Sequence, residues 1–149
     1  MDAQAARALR RQAHQVALQA LYESDAVRHP IGNVVERLSR DEGLPPEAAE
    51  LARKLVAGVT ASLGQVDAQI AEAAPTWPLA QMARVDKNVL RLAIYEAFVD
   101  NAAVPARAAI GDAIELAKTF GSDSSIKFVN GVLATLAERR PRGALGGSG

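Results

Sequence analysis

Apolar residues recur every three to four positions along nearly the whole chain, which is the spacing of one face of an α-helix. No segment sustains the two-residue alternation of β-branched residues that is typical of a strand. The pattern predicts an all-α, single-domain bundle of about seven helices. Its periodic segments lie at about 3–24, from 31 to just before Gly43, and at about 46–73, 79–99, 106–120 and 124–139.

Two segments carry further information about packing. The segment at 79–99 is apolar on nearly every side, so we expect it in the middle of the bundle. The segment at 46–73 contains Gly58, and a glycine costs a helix about 1 kcal/mol relative to alanine. We therefore expect a neighbouring helix to approach closely there. Residues 1–140 form the predicted helical domain, and the glycine-rich residues 141–149 are predicted to be disordered.

The first helix has a basic side opposite its apolar side. Its members follow i, i+3, i+4, i+7 spacing: Arg7, Arg10, Arg11 and His14. We expect no acidic residue within reach to neutralise them. The side is either a solvated charged surface or a binding surface for phosphates, which the planar fork of arginine contacts well.

The segment at 105–133, PARAAIGDAIELAKTFGSDSSIKFVNGVL, predicts two helices separated by a glycine stop and a polar cap. Lys127 and Phe128 are adjacent near the start of the second helix, and Ser124 shares their side. A cation beside an aromatic ring near a helix N-terminus suits single-stranded nucleic acid. Phe128 lies about 100° from the centre of the apolar stripe, so its ring can be partly exposed. The alternative is a core phenylalanine in a plain helical hairpin.

Two other aromatic residues have open interpretations. Tyr22 lies on the basic side of the first helix, where it is either a stacking platform or a core tyrosine with a solvated hydroxyl. Trp77 lies between two prolines, and we expect it to cover the core rather than to bind a ligand.

Composition limits the function. Lys plus Arg and Asp plus Glu are equal at 17 each, so the chain has no global attraction to nucleic acid and any positive surface must be local. With no cysteine, and with only His14 and His29 as histidines, neither a metal site, a cofactor nor an enzyme is expected. No apolar run reaches the roughly 18 residues of a membrane span, and no secretory signal is evident, so we expect a cytoplasmic protein.

Four segments in order resemble the NusB family of bacterial transcription antitermination factors. They are RRQAHQVALQALYESD at 10–25, RKLVAGV at 53–59, RVDKNVLRLAIYEAF at 84–98, and ELAKTFG followed by S-x-KFVNGVL at 115–133. The chain departs from the family's usual pattern at His14, where a second arginine is usual, and at Gly111-Asp112, where Asn-Glu is frequent. It also carries Ser124 where a carboxylate is often found nearby.

The resemblance implies a factor that recognises boxA-type single-stranded RNA together with NusE, a small ribosomal-subunit protein. It also implies action on the transcription elongation complex at rRNA operons. The predicted RNA contacts are Arg7, Arg10, Arg11, His14, Tyr22, Ser124, Lys127 and Phe128. The predicted partner contacts are Asp86 and Lys87. If His14 becomes cationic beside phosphate, acidification toward pH 6 should strengthen RNA binding.

Three alternatives remain open at this stage. The chain is a protein-interaction module whose basic side is only solvated, or a homodimer that covers this surface. It is otherwise a recognition domain of the kind found beside RNA methyltransferase domains, here without the cofactor-binding half.

Overall fold

The computed structural model describes residues 2–100 and 104–139, so the predicted disordered tail lies outside the described residues. Within these ranges the chain forms seven α-helices and no strand, which confirms the predicted all-α class. The helices are α1 (Ala3–Val27), α2 (Ile31–Asp41), α3 (Pro46–Ala61), α4 (Leu63–Ala73), α5 (Arg84–Ile94), α6 (Ala106–Phe120) and α7 (Asp123–Glu138). None of the described helices combines the length and hydropathy of a membrane span.

Local interactions set the two ends of α1. The side chain of Asp2 accepts a hydrogen bond of 2.7 Å from the backbone N–H of Ala5, which caps the first turn. The helix continues three residues beyond the predicted end at Ser24 and stops where Arg28 adopts a left-handed conformation with φ of 60°.

The single helix predicted at 46–73 is wrong, because the chain breaks at Ser62 into α3 and α4. The Ser62 hydroxyl donates to the carbonyl of Gly58 at 2.6 Å, and its backbone φ of −114° is not helical. A serine side chain that bonds the preceding turn competes with the backbone ladder. Apolar periodicity continues across the break and therefore does not reveal it.

The segment predicted at 79–99 occupies the middle of the bundle, as expected. It consists of a 3₁₀ turn (Leu79–Gln81), α5, and a π-helical turn (Tyr95–Val99). Helix α5 contacts α1, α3, α4, α6 and α7, and its side chains are mostly buried. Because it touches so many elements, the residues at its two ends are brought close to several surface grooves.

Gly58 lies directly against the ring of Tyr95, which confirms the predicted close approach of a neighbour. A Cβ atom at this position would overlap Cζ, Oη and Cε1 of that ring. The glycine in α3 therefore makes room for an aromatic side chain of the π-helical turn.

We expect Gly58→Ala to lower the free energy of unfolding by about 1–2 kcal/mol, because overpacking outweighs the better helix propensity of alanine. In a Tyr95→Ala background the ring is absent, and the same substitution should instead stabilise by about 1 kcal/mol. Urea unfolding of the four proteins measures both effects. An effect of the same sign in both backgrounds would show that the ring is not the obstacle.

Candidate nucleic-acid interface

The first half of α1 and helix α6 enclose a surface groove of about 410 Å³, here called the arginine groove. Its lining includes Arg7, Arg10, Arg11, His14, Gly111 and Asp112. Arg7 and Arg11 are exposed, and among the described residues neither forms an ion pair. Both guanidinium groups are therefore free to meet an anion from solution.

Arg10 is held by acidic residues distant in sequence. Its Nη2 donates to Oδ2 of Asp112 at 2.6 Å, its Nε donates to the same oxygen at 3.2 Å, and its side chain is only 25% exposed. Nη2 also lies 3.4 Å from both carboxylate oxygens of Glu96. The expectation of an unneutralised basic side is thus wrong at Arg10, because its partners come from α6 and from the π-helical turn.

His14 is buried and bonded at both ring nitrogens. The residue is 3% exposed, with Nε2 at 2.5 Å from Oε1 of Glu96 and Nδ1 at 2.7 Å from the carbonyl oxygen of Arg10. The expected solvent-facing histidine beside phosphate is wrong, because the ring points into the contact between α1 and the π-helical turn. The predicted gain in RNA affinity on acidification loses its structural basis.

Glu96 contacts both Arg10 and His14, which line the arginine groove, and is itself 2% exposed. Burial raises its pKa, but hydrogen bonds and charge interactions with His14 and Arg10 outweigh this effect and hold the pKa below its ordinary value of 4.5. The ligand atoms of His14, Glu96 and Asp112 lie within 4.8 Å of one another, a donor set that could hold a metal ion. The guanidinium of Arg10 already supplies positive charge to both carboxylates, so we interpret the group as a structural ion cluster.

A second groove, of about 680 Å³, lies at the start of α7 and is here called the aromatic groove. It is lined by Trp77, Gln81, Met82, Ala83, Asp86, Ser124, Lys127 and Phe128. Ser124 and Lys127 are exposed, while Phe128 is half-buried with part of its ring against the core. The predicted partial exposure of Phe128 is confirmed.

Trp77 is 53% exposed, and its ring centroid lies 6.2 Å from that of Phe128 with an interplanar angle of 48°. The expectation that it covers the core is wrong, because the ring packs on Phe128 at the surface. A capping box fixes the start of α7. The Ser122 hydroxyl accepts a hydrogen bond from the backbone N–H of Ser125, and the Ser125 hydroxyl accepts one from the backbone N–H of Ser122.

A third groove, of about 430 Å³, lies beside the second half of α1 and is here called the tyrosine groove. Its lining includes Leu18, Tyr22, Val27, Leu38, Val85 and Phe120. On α1 and α6 its lining residues come next in the chain after those of the arginine groove, and its Val85 precedes Asp86 of the aromatic groove in the sequence. Tyr22 is 41% exposed, so the core alternative for this residue is wrong.

The two residues predicted to contact a protein partner are less accessible than expected. Asp86 is 8% exposed, and Nζ of Lys87 lies 3.0 Å from Oδ2 of Asp25. Burial raises the pKa of Asp25, but Lys87, Asn88 and Arg91 lower it by more, so the net pKa is below its usual range. Lys87 is therefore partly neutralised within the chain.

Comparisons with known proteins identify relatives that match most of the chain. The chain is 47% identical over 132 residues to the transcription antitermination protein NusB of Roseiflexus castenholzii, covering 88% of this chain and 93% of that protein. It is 48% identical over 124 residues to the protein of the same name from Chloroflexus aggregans, covering 83% of both.

Solved structures show the same architecture. NusB of T. maritima superposes with a TM-score of 0.81 at 33% identity, covering 91% of this chain and 95% of that one. A NusB chain crystallised with NusE and double-stranded RNA superposes with a TM-score of 0.80 at 25% identity, covering 89% and 98%. The sequence model of the NusB family matches residues 11–138. The chain therefore belongs to the NusB family of transcription antitermination factors.

Proposed function

We propose that the chain binds boxA-type single-stranded RNA together with NusE, and that the complex promotes processive transcription of rRNA operons as part of the elongation complex. It acts in the cytoplasm and catalyses no reaction. The observation that carries the proposal is that exposed cations and aromatic rings line the three grooves: Arg7 and Arg11 line the arginine groove, Tyr22 lines the tyrosine groove, and Lys127 with Phe128 lines the aromatic groove. The related NusB complex with NusE and RNA supports the same two partners.

The exposed residues of the grooves make two kinds of contact, with phosphates and with bases. Arg7 and Arg11 contact phosphates at the arginine groove. Lys127 does so at the aromatic groove, where Ser124 adds a hydroxyl. Tyr22 and Phe128 offer ring faces to unpaired bases, and such stacking contributes about 1–3 kcal/mol per base. RNA that contacts all three grooves is bound through both charge and stacking.

Arg10 and His14 take an indirect part in this proposal, although the sequence predicted direct contacts for both. Their bonds to Glu96 and Asp112 join α1 to α6 and to the π-helical turn. These bonds fix the side of α1 that presents Arg7 and Arg11. The residues thereby position the phosphate contacts without touching RNA.

NusE is proposed to contact the bundle at the start of α5, around Lys87. The neighbouring exposed side chain of Arg84 lies 3.4 Å from Asp25, so this region presents both charges to a partner. The sequence assigned Asp86 to the same interface, but its position in the aromatic groove favours a role in RNA binding.

Fluorescence anisotropy with a labelled boxA-like RNA of about 12 nucleotides tests the proposal, with and without NusE. We expect weak binding by the chain alone and an increase of about 100-fold with the partner, because a second joined site raises the effective concentration. A scrambled RNA and a duplex of the same sequence are the controls.

Two results would support the other candidates. Binding of NusE without any RNA affinity, in either the single protein or the complex, would indicate a protein-interaction module. Light scattering that shows a dimer at micromolar concentration, with RNA affinity appearing only on dilution, would indicate a homodimer that covers the grooves.

A further inference from the structure

His14 faces a hydrogen-bond acceptor at each of its two ring nitrogens. Nδ1 lies 2.7 Å from the backbone carbonyl oxygen of Arg10, and Nε2 lies 2.5 Å from Oε1 of Glu96. Nitrogen and oxygen atoms approach this closely only when a hydrogen lies between them. A neutral imidazole carries one N–H, whereas an imidazolium donates from both nitrogens. The two contacts therefore require one hydrogen more than a neutral ring supplies.

The geometry assigns both hydrogens to the ring. A carbonyl oxygen has no hydrogen to donate, so Nδ1 is the donor to Arg10. At the other contact, Nη2 of Arg10 lies 3.4 Å from both carboxylate oxygens of Glu96, and this cation favours the ionised carboxylate. Burial raises the pKa of Glu96, but His14 and Arg10 lower it by more, so the net pKa is below 4.5. Glu96 is thus an acceptor near neutral pH, and Nε2 is the donor.

The charges around His14 also balance only with a cationic ring. Charged groups face it from three elements: Arg10 from α1, Glu96 from the π-helical turn, and Asp112 from α6. Among the described residues, no charged side chain of α2, α3 or α5 forms a hydrogen bond or ion pair with His14. A neutral ring would leave two carboxylates against one guanidinium, whereas a charged ring gives two cations and two anions. Nη2 of Arg10 lies 3.4 Å from Nε2, but the carboxylate oxygen is much closer.

We propose that His14 is a buried imidazolium in the folded protein, and that its second proton makes the contact between α1, α6 and the π-helical turn sensitive to pH. Loss of that proton leaves Nε2 and Oε1 of Glu96 as two acceptors in contact, so this contact weakens as the pH rises. The inference rests on the geometry of the ion cluster and is independent of RNA binding.

The nitrogen chemical shifts of the histidine rings measure the charge directly, on the full-length protein labelled with ¹⁵N at pH 7.5. The two nitrogens of an imidazolium have similar shifts, whereas those of a neutral ring are widely separated. The chain contains only two histidines, so His29→Gln leaves the His14 signals alone and assigns them. We expect similar shifts for the two nitrogens of His14. The urea-unfolded protein in the same buffer is the reference, because an exposed histidine is mostly neutral at this pH.

Urea unfolding from pH 7 to 9 measures the consequence for stability. The folded chain then holds a proton that the unfolded chain has lost, so stability falls as the pH rises. Relative to His14→Gln, whose amide does not titrate, the unfolding constant of the wild type should rise by up to about tenfold for each pH unit. His29→Gln is the matched control: its side chain is 57% exposed, and the variant should keep the wild-type profile.

Two results would overturn the inference. Widely separated shifts for His14 at pH 7.5 would show a neutral ring, with the hydrogen of the second contact on Glu96, and this result stands even if His14→Gln does not fold. Parallel stability profiles for the wild type and His14→Gln from pH 7 to 9 would show that the proton is not coupled to folding. Neither measurement uses RNA, so failure here leaves the proposed function intact, and a protein that binds no RNA leaves this inference intact.

Discussion

Replacing Glu96 with glutamine should lower the melting temperature by about 10 °C. The carboxylate is 2% exposed and accepts from Nε2 of His14 at 2.5 Å, with Nη2 of Arg10 at 3.4 Å. Breaking a buried ion pair by removing one partner costs about 3–5 kcal/mol, and the neutral amide of glutamine also replaces the charged acceptor of the hydrogen bond from His14. For a chain of this length each kcal/mol shifts the melting temperature by about 2–4 °C. Thermal unfolding followed by circular dichroism measures the change.

Glu115→Gln is the matched control for this substitution. Glu115 also lines the arginine groove, but its side chain is exposed and lies 3.6 Å from Lys118 on the same helix. Exposed pairs of this kind contribute little to stability, so the control should have the same melting temperature as the wild type. Equal melting temperatures for Glu96→Gln and the wild type would contradict a stabilising role for the buried cluster.

The same carboxylate should make stability depend on pH on the acid side. Its pKa is lower in the folded protein than the ordinary value of 4.5, so the unfolded chain takes up the proton first as the pH falls. The stability that Glu96 contributes is present above about pH 4.5 and is lost as the pH falls through its lowered pKa. Arg37 and Arg53 likewise lower the pKa values of Glu23 and Glu36, so the wild type alone does not isolate Glu96. The contribution of Glu96 is instead isolated by the difference in the free energy of unfolding between wild type and Glu96→Gln, measured with urea from pH 7 to 3.

The helical fold was largely predictable from apolar periodicity because that signal is local. Helix α6 was predicted with its observed bounds, and the central position of the segment at 79–99 followed from its apolar surface. The break at Ser62 was missed because it arises from one side-chain hydrogen bond, which leaves the apolar pattern unchanged. The π-helical turn was missed for a related reason, since a single extra residue per turn leaves no mark in the sequence.

The candidate site was predictable only in part, because its charges are sorted by contacts between distant residues. Arg7, Arg10 and Arg11 look alike in the sequence, yet within the described part of the chain only Arg10 is paired with acids, which lie 86 and 102 positions away. One signal was available: the chain has His14 where the resemblance leads one to expect arginine, and it has Asp112 at another departure. Both departures meet in the same ion cluster, so reading them together would have indicated a structural role.

For Trp77 the error has the opposite direction. Arg10 and His14 were predicted at the surface and are held by acids, whereas the Trp77 ring was predicted to cover the core and is exposed. The flanking prolines predict a loop correctly, but no periodicity exists in a loop to say which way a ring points. The structure places the ring on Phe128, where it enlarges the stacking surface that the sequence had assigned to that residue alone. The aromatic groove is therefore a product of tertiary packing between the 75–78 loop and α7.

Replacing Arg7 and Arg11 together with alanine should weaken RNA binding by about tenfold or more at 0.1 M salt while leaving the melting temperature unchanged. Both side chains are exposed at the arginine groove and form no ion pair among the described residues, so their removal leaves no buried group uncompensated. The slope of log affinity against log salt should become shallower by about 0.7 for each phosphate that the variant can no longer neutralise. Anisotropy titrations across a salt series measure both quantities.

Arg10→Ala should behave in the opposite way. It removes the donor that Asp112 and Glu96 share, so it should lower the melting temperature, while the salt slope measured well below that temperature stays near the wild-type value. The contrast distinguishes phosphate contacts from the residue that positions them. A salt slope that becomes shallower by about 0.7 in Arg10→Ala, the change expected for one lost phosphate contact, would show that Arg10 leaves Asp112 to contact RNA.

A charge-matched control is needed because the chain has a formal net charge of zero, so any loss of two cations makes it an anion. Arg40 on α2 and Lys54 on α3 are exposed and line none of the three grooves. Their double alanine variant has the same net charge as the Arg7 and Arg11 variant and should keep the wild-type salt slope. If both variants make the slope of log affinity against log salt shallower by the same amount, RNA binding depends on the net charge of the protein. The arginine groove would then have no specific role in binding.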